Sequence, residues 1–466
     1  MDGGEKLRVG VSRCDITPPL GIAHGNWSAQ VHERAEGVDL PLWCTVLAAS
    51  DGLEEILLVE WDLLYPPKGE ELALYRKRIG ELTGVPPSHI RMSASHTHSG
   101  PSQSQPWFDA GAEMVKPYND SLVDKVAGAC WAARRAMQPA WVAGAKGSCP
   151  VNVCRRKPWK DRMILGPNPD GFSDHDVGVV RIDDLKGQPI AVIVHFSAHP
   201  TILAWENRLI STDFPGTVRR TVESMMNSTC LFLQGSTGNQ CTICDYSGRP
   251  EDARWIGRQI GIEAARVAGL IETRPTKLAI RETAESSWTM GRVERLPEGT
   301  PDGTVRCVSR AVPLPLWTRE PATPAELGRL AELRRRLAAI RAAGAREEEV
   351  RAANREVRRA SLELWIIEER SRGTSVDLEF QAMRLGNIAL LGIPCEPFNQ
   401  LGAEIKRRSP FPVTLFSGYT NGFTGYMPNA EAYKEGGYEV WVTPYAPEAA
   451  GITVAKGLEI ISELAN

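Results

Sequence analysis

The chain has 466 residues and a formal charge of −3, from 54 basic and 57 acidic side chains. Hydrophobic residues make up 42% and charged residues 24%, an ordinary globular balance that supports one large domain with an insertion or several smaller ones. This charge excludes an electrostatic case for nucleic acid or an anionic membrane, and no apolar run is long enough to span a bilayer. The opening MDGGEKLRVGVSRCDITPP has no apolar leader core. The reading is therefore a cytoplasmic protein with no stable membrane association and reduced cysteines, most of them small buried hydrophobes.

Residues 1–275 alternate strand and helix patterns. ILLVEWDLL (56–64) reads as a buried strand, 69–83 as a charged helix, and HIRMSASH (89–96) as the next strand. DVGVVRID (176–183), IAVIVHFSAH (190–199) and TCLFLQG (229–235) are further strands, and 253–272 has helical apolar spacing. Such alternation predicts an α/β core. Residues 276–321 connect this part to 322–372, a stretch rich in Ala, Leu, Glu and Arg with an AAGA break. It reads as an inserted helical hairpin for packing or homo-oligomer contacts, with a solvated charged face. Residues 373–466 return to strands.

All eight histidines lie within the first 199 residues, four of them in two clusters. One is Ser95-His96-Thr97-His98-Ser99-Gly100-Pro101; the other is His195-Phe196-Ser197-Ala198-His199-Pro200-Thr201. On an extended chain an H-x-H pair puts both imidazoles on one face, so one ring can bind a metal while the other faces a substrate. A pair of ordinary hydrogen-bonded histidines is the plainer reading of one cluster; two clusters at strand ends favour a metal site. Cys241-Thr242-Ile243-Cys244 lacks a second C-x-x-C, so a structural zinc or redox role is the minority reading. Asp62 ends a strand and suits either a plain strand-end carboxylate or one that orients a ligand histidine. Asp174-His175-Asp176 reads as a polar loop.

The SHTHSGP motif, followed by AHPT, STDFPG (211–216), LQGSTGNQ (233–240), GIPCEPFN (392–399) and GYTNGFTGY…GGYE (418–439), resembles the catalytic domain of the neutral, non-lysosomal ceramidases. The opening VGVSRCDITPP resembles that family's first strand and turn, and the helical hairpin stands outside the likeness. The resemblance implies one zinc ion held by His96, His199, Glu396 and Tyr426. It implies that His98, Arg155 (with Arg156 as the alternative register) and Tyr438 surround the scissile carbonyl. Chemically this is coherent: zinc makes water a nucleophile near neutral pH, and the developing oxyanion needs donors.

Two departures accompany the likeness. The family's active serine, in a Gly-Asp-x-Ser-Pro-Asn turn, is matched here by Gly238, with Ser236 and Thr237 as the nearest hydroxyls. On the expectation that the ceramidases' C-terminal immunoglobulin-like domain and leader have no counterpart in this protein, the expected substrate is a smaller, more soluble amide than ceramide. The expectation is a single α/β catalytic unit with mixed sheets, helices and the inserted hairpin, in which 373–466 completes the zinc site begun in 1–275. Its expected chemistry is amide hydrolysis by zinc-activated water; an esterase or lactam hydrolase, or a non-catalytic binding protein, is the alternative.

Overall fold

The computed structural model describes residues 7–103 and 110–465. The first six residues of the stretch read for a leader therefore lie outside the described residues. An eight-stranded mixed sheet dominates the fold, in the order Thr229–Gln234, Pro189–Phe196, Asp176–Asp184, Gln138–Ser148, Arg8–Asp15, Trp43–Ser50, Glu55–Trp61, Ile90–Ala94. Among the described residues, its two halves join through Arg8↔Pro139 and Val9↔Gln138. The outermost pairs at both ends are parallel and the others antiparallel.

Side-chain alternation along these strands explains the layering. Val46, Ala48, Leu57 and Val59 pack with the helices Gly69–Thr83 and Val115–Arg135. Val177, Val179, Val192 and Val194 pack with Phe214–Met226 and Pro250–Leu270. The intervening residues, among them Leu47, Leu58, Val180 and Ile193, face a second core shared with Met383, Leu390 and Leu415. Those three belong to a four-stranded sheet ordered Val305–Pro315, Ser375–Leu385, Ile388–Gly392, Val413–Ser417. Its outer face carries the helices Asn399–Arg408 and Ala449–Ala465. The C-terminal residues thus return onto the N-terminal sheet through a shared core.

Two features project from this body. The helices Pro324–Ala342 and Glu347–Arg370 form an arm; Thr323 caps the first through a capping box with Glu326. The second buries Ala353, Asn354, Val357, Arg358, Ala360, Ile366, Ile367 and Glu369, so one face packs inward while Glu and Arg cover the other. The connecting segment is itself structured: Thr276–Glu285 and Thr289–Pro297 form a two-stranded ribbon that joins neither larger sheet. No described helix is long and apolar enough to cross a membrane.

Candidate metal and substrate site

The two histidine clusters meet at one point. His96 lies beyond the strand Ile90–Ala94, at φ 68°, an uncommon conformation for a non-glycine residue. This corrects the expectation of an extended H-x-H pair: the two rings stand 88° to one another, with centroids 5.0 Å apart. A turn, fixed by Ser95 N–H to Trp61 O (3.0 Å) and His96 N–H to Leu63 O (3.0 Å), aims both inward. His199 follows the strand Pro189–Phe196, and its N–H bonds Gln240 O at 3.2 Å. The ligand nitrogens of His96, His98 and His199 lie within 4.8 Å of one another.

The C-terminal part supplies the other groups. Glu396–Pro397 pairs in parallel with Tyr426–Met427. The intervening loop is tied to the N-terminal sheet: Tyr419 O accepts from Ala94 N–H, and Met92 O from Asn421 N–H. Glu396 is buried, with Oε2 3.1 Å from His199 Nε2 and Oε1 3.9 Å from His96 Nε2. Arg155 donates to the Tyr426 hydroxyl at 3.0 Å and to Glu439 at 2.9 Å. Arg156 turns away, to Glu439, Glu435 and Gly436 O, so Arg155 is the arginine that reaches the site. Tyr438 stands edge-on to Tyr426, at 5.6 Å.

The tautomers test whether these residues suit a metal ion. His96 Nδ1 lies 2.7 Å from Leu64 O, and His199 Nδ1 lies 2.7 Å from Thr237 O. Both Nδ1 atoms must donate, which leaves Nε2 as a lone pair on each ring. Burial holds His96, His98 and His199 well below the ordinary imidazole pKa, although Glu396 pulls His96 the other way. Two neutral rings therefore aim lone pairs at one carboxylate. That opposition is relieved by a proton or a metal cation between them, and carbonyl-oriented imidazoles with a carboxylate are a donor set that fits a metal ion. His96 Nε2 and both nitrogens of His98 have no hydrogen-bond partner.

Several residues here are not among those singled out from the sequence. Tyr419, at φ 47°, stacks on His96 at 4.0 Å and donates to Glu396 at 3.0 Å. Glu439 clamps both arginines. Trp27 lies 4.8 Å from His98 and meets Trp205 and Tyr246 edge-on. Opposite, Tyr65 faces His96 and stacks near Phe423, which stacks on Trp365 of the arm. Tyr419 and Phe423 lie inside the GYTNGFTGY stretch and Glu439 closes GGYE, so all three were findable there; Trp27, Tyr65, Trp205, Tyr246 and Trp365 have no local signal.

Other sequence candidates lie elsewhere. Asp62 accepts from Trp43 N–H, Ser95 and Arg219 and touches no histidine, so its link to the site runs through Ser95. His195 stays in its strand and pairs with Phe416 O. Asp174 and Asp176 bind Lys406. Cys241 is buried and Cys244 half-buried, and neither forms a disulfide.

Gly238 has a physical reason to be glycine. Its N–H donates to Pro397 O, and a β-carbon there would come within 2.6 Å of Glu396 O and 3.0 Å of Pro397 O. Gly238→Ser is expected to push the Glu396 strand outward and destabilise the fold by about 1–3 kcal/mol, read by thermal or denaturant unfolding. Of the nearby hydroxyls, that of Thr237 is engaged: its Oγ1 bonds the Tyr419 hydroxyl at 2.7 Å. Ser236 Oγ lies over Gly402, where a β-carbon would come within 2.0 Å of it.

The arm reaches the site. Asn354 Nδ2 donates to Gln30 O at 3.0 Å, and Arg341 pairs with Glu33 at 2.5 Å. Gln30 in turn braces the Trp27 loop through Trp27 N–H and the carbonyls of His24 and His32. The inward face of the arm therefore packs on its own chain rather than waiting for another copy. Asn354→Ala is expected to leave the metal content unchanged and to lower kcat/KM several-fold, the scale of one lost hydrogen bond of about 1 kcal/mol.

No family model matches the chain. Neutral ceramidase A of Dictyostelium discoideum is 29% identical over 138 residues, which are 28% of this chain and 19% of that protein. The neutral ceramidase of Pseudomonas aeruginosa is 22% identical over 492 aligned positions, 94% of this chain and 69% of that one. The crystal structure of a P. aeruginosa neutral ceramidase superposes with a TM-score of 0.69 at 19% identity, covering 98% of this chain and 74% of that chain. A ceramidase complexed with C2 superposes at 0.64 and 18% identity, covering 99% and 75%. The chain thus has the fold of a neutral ceramidase catalytic domain and is similar to that family in sequence along nearly its whole length.

Proposed function

We propose that the chain is a zinc-dependent hydrolase of a carbon–nitrogen bond in a small amide, with His96, His199, Glu396 and Tyr426 holding the metal. The observation that carries this reading is the buried Glu396 carboxylate facing the lone pairs of two carbonyl-oriented imidazoles. Similarity to proteins named ceramidases supports the amide as the bond cut. Zinc, when bound, lowers the pKa of water and polarises a carbonyl oxygen.

The protein's own groups do the rest. Glu439 holds Arg155 beside the Tyr426 hydroxyl, so a fixed positive charge borders the place where the carbonyl oxygen gains charge. His98, kept neutral by burial, and Tyr438 are the further donors to that oxygen. Arg155 also opposes the effect of burial and Glu396, which push the Tyr426 phenol upward. Aromatic side chains flank the histidines, Trp27, Trp205 and Tyr246 near His98 and Tyr65, Phe423 and Trp365 near His96, and offer apolar surface to the apolar part of the substrate. A cytoplasmic setting belongs to the same proposal.

The test combines elemental analysis with a screen of short N-acyl amides. One zinc per chain and chelator-sensitive amide turnover are expected; a chain that takes up no zinc, or whose turnover ignores chelators, overturns the reading. Because Thr237 is engaged and Ser236 is turned away, no covalent acyl-enzyme is expected either. Mass spectrometry of enzyme quenched during turnover checks this, and an acyl adduct on Thr237 or Ser236 refutes it.

A further inference from the structure

The ribbon is the least covered part of the described chain. Every residue of Thr289–Pro297 is exposed, as are most of Thr276–Glu285. Its solvent-facing side chains include Leu278, Ile280, Met290 and Val293, each more than half exposed. An isolated two-stranded hairpin is marginal in water, and an open edge of unpaired backbone groups is a template for another strand. Thr276–Glu285 covers one edge of Thr289–Pro297, and no described strand covers the other.

The sequence of that strand, TMGRVERLP, is self-complementary about its centre. We propose that its open edge pairs antiparallel with the same edge of a second copy of this chain, on a two-fold axis through Val293. In that register Arg292 stands opposite the partner's Glu294, and Met290 opposite the partner's Leu296. Val293 meets the partner's Val293, and Gly291 faces the partner's Arg295. Side-chain alternation puts the charged and the Met–Leu pairs on one face and the valines on the other. No like charges meet, and a closed two-fold contact of one patch with itself is the commonest form of homo-oligomer.

Charge favours this occupant over a lipid surface. Lys277, Arg281, Arg292 and Arg295 are offset by Glu282, Glu285 and Glu294, and Arg292 already pairs with Glu282 at 2.6 Å. The ribbon therefore offers an anionic membrane little net attraction. The arm offers less: its outer face interleaves Glu and Arg, and its apolar face is used within the chain.

Sedimentation equilibrium of the full chain tests the pairing without reference to catalysis. A dimer is expected. Glu294→Lys should raise its dissociation constant roughly tenfold, because two-fold symmetry turns one substitution into two repulsive contacts. Val293→Asp places like charges on the axis and should give monomers. Glu332→Lys, on the exposed face of the arm, should change nothing. Because the altered side chains are exposed, unchanged circular dichroism and melting temperature separate loss of pairing from loss of folding. The proposal is overturned by a wild-type chain that stays monomeric up to about 100 µM, well above a micromolar Kd, or by a dimer indifferent to Val293→Asp. A monomer that binds phosphatidylcholine vesicles through the ribbon overturns it too and assigns the edge to lipid.

Discussion

Replacing His98 with alanine is expected to leave the zinc content unchanged and to cut amide turnover on the order of a hundredfold or more, the usual cost of losing an oxyanion donor. His98 is close enough to His96 and His199 to be a third imidazole ligand. Two features favour the donor role. Neither of its ring nitrogens is oriented by a carbonyl, whereas His96 and His199 each have Nδ1 fixed by one. Glu396 also lies within reach of both His96 Nε2 and His199 Nε2, where the proposed ligand set puts it. Elemental analysis beside kcat on the same preparation decides the matter. Loss of zinc in step with activity makes His98 a ligand and moves Glu396 out of the primary role.

Glu396→Gln should have opposite effects on the metal-free and metal-loaded protein. With zinc present, a neutral amide is a poor substitute for a carboxylate, and affinity should fall by more than the roughly hundredfold that loss of a supporting partner can cost. Without zinc, the carboxylate opposes the lone pairs of His96 and His199. A glutamine amide can instead donate to His199 Nε2, now 3.1 Å from a carboxylate oxygen. The metal-free variant should therefore be more stable than metal-free wild type by about 1 kcal/mol. Thermal unfolding with and without chelator reads both signs. A variant less stable than wild type in both states would mean that Glu396 and His199 form an ordinary buried pair.

Much of the fold was readable because strand and helix periodicity are local properties. The helix expected at 69–83 is Gly69–Thr83, and the strand expected at 176–183 is Asp176–Asp184. Boundaries at the site were less readable. HIRMSASH was expected to remain extended through His96, yet the strand stops at Ala94. Tertiary bonds to Trp61 O and Leu63 O hold the chain in a turn that nothing between Ser95 and His98 dictates. The ribbon lies within 276–321, which the sequence reading gives as a plain connector; its strands face solvent on both sides, so they lack the polar–apolar alternation that marks a strand packed on a core.

The sequence by itself determined the chemistry on offer. Clustered histidines, the carboxylate after Pro394 and the tyrosine of the Gly-rich loop are side-chain types, and type is written residue by residue. Only the tertiary structure decided their relations. It set Arg155 rather than Arg156 against the Tyr426 hydroxyl, although Glu439 holds both, and stacked Tyr419 on His96. It also excluded a side chain at Gly238 by bringing Glu396 O within 2.6 Å of its β-carbon position, and set the arm against the Trp27 loop. Each of these is a contact between segments distant in sequence. Such contacts depend on how the shared core brings the two sheets together, and local periodicity carries no record of that.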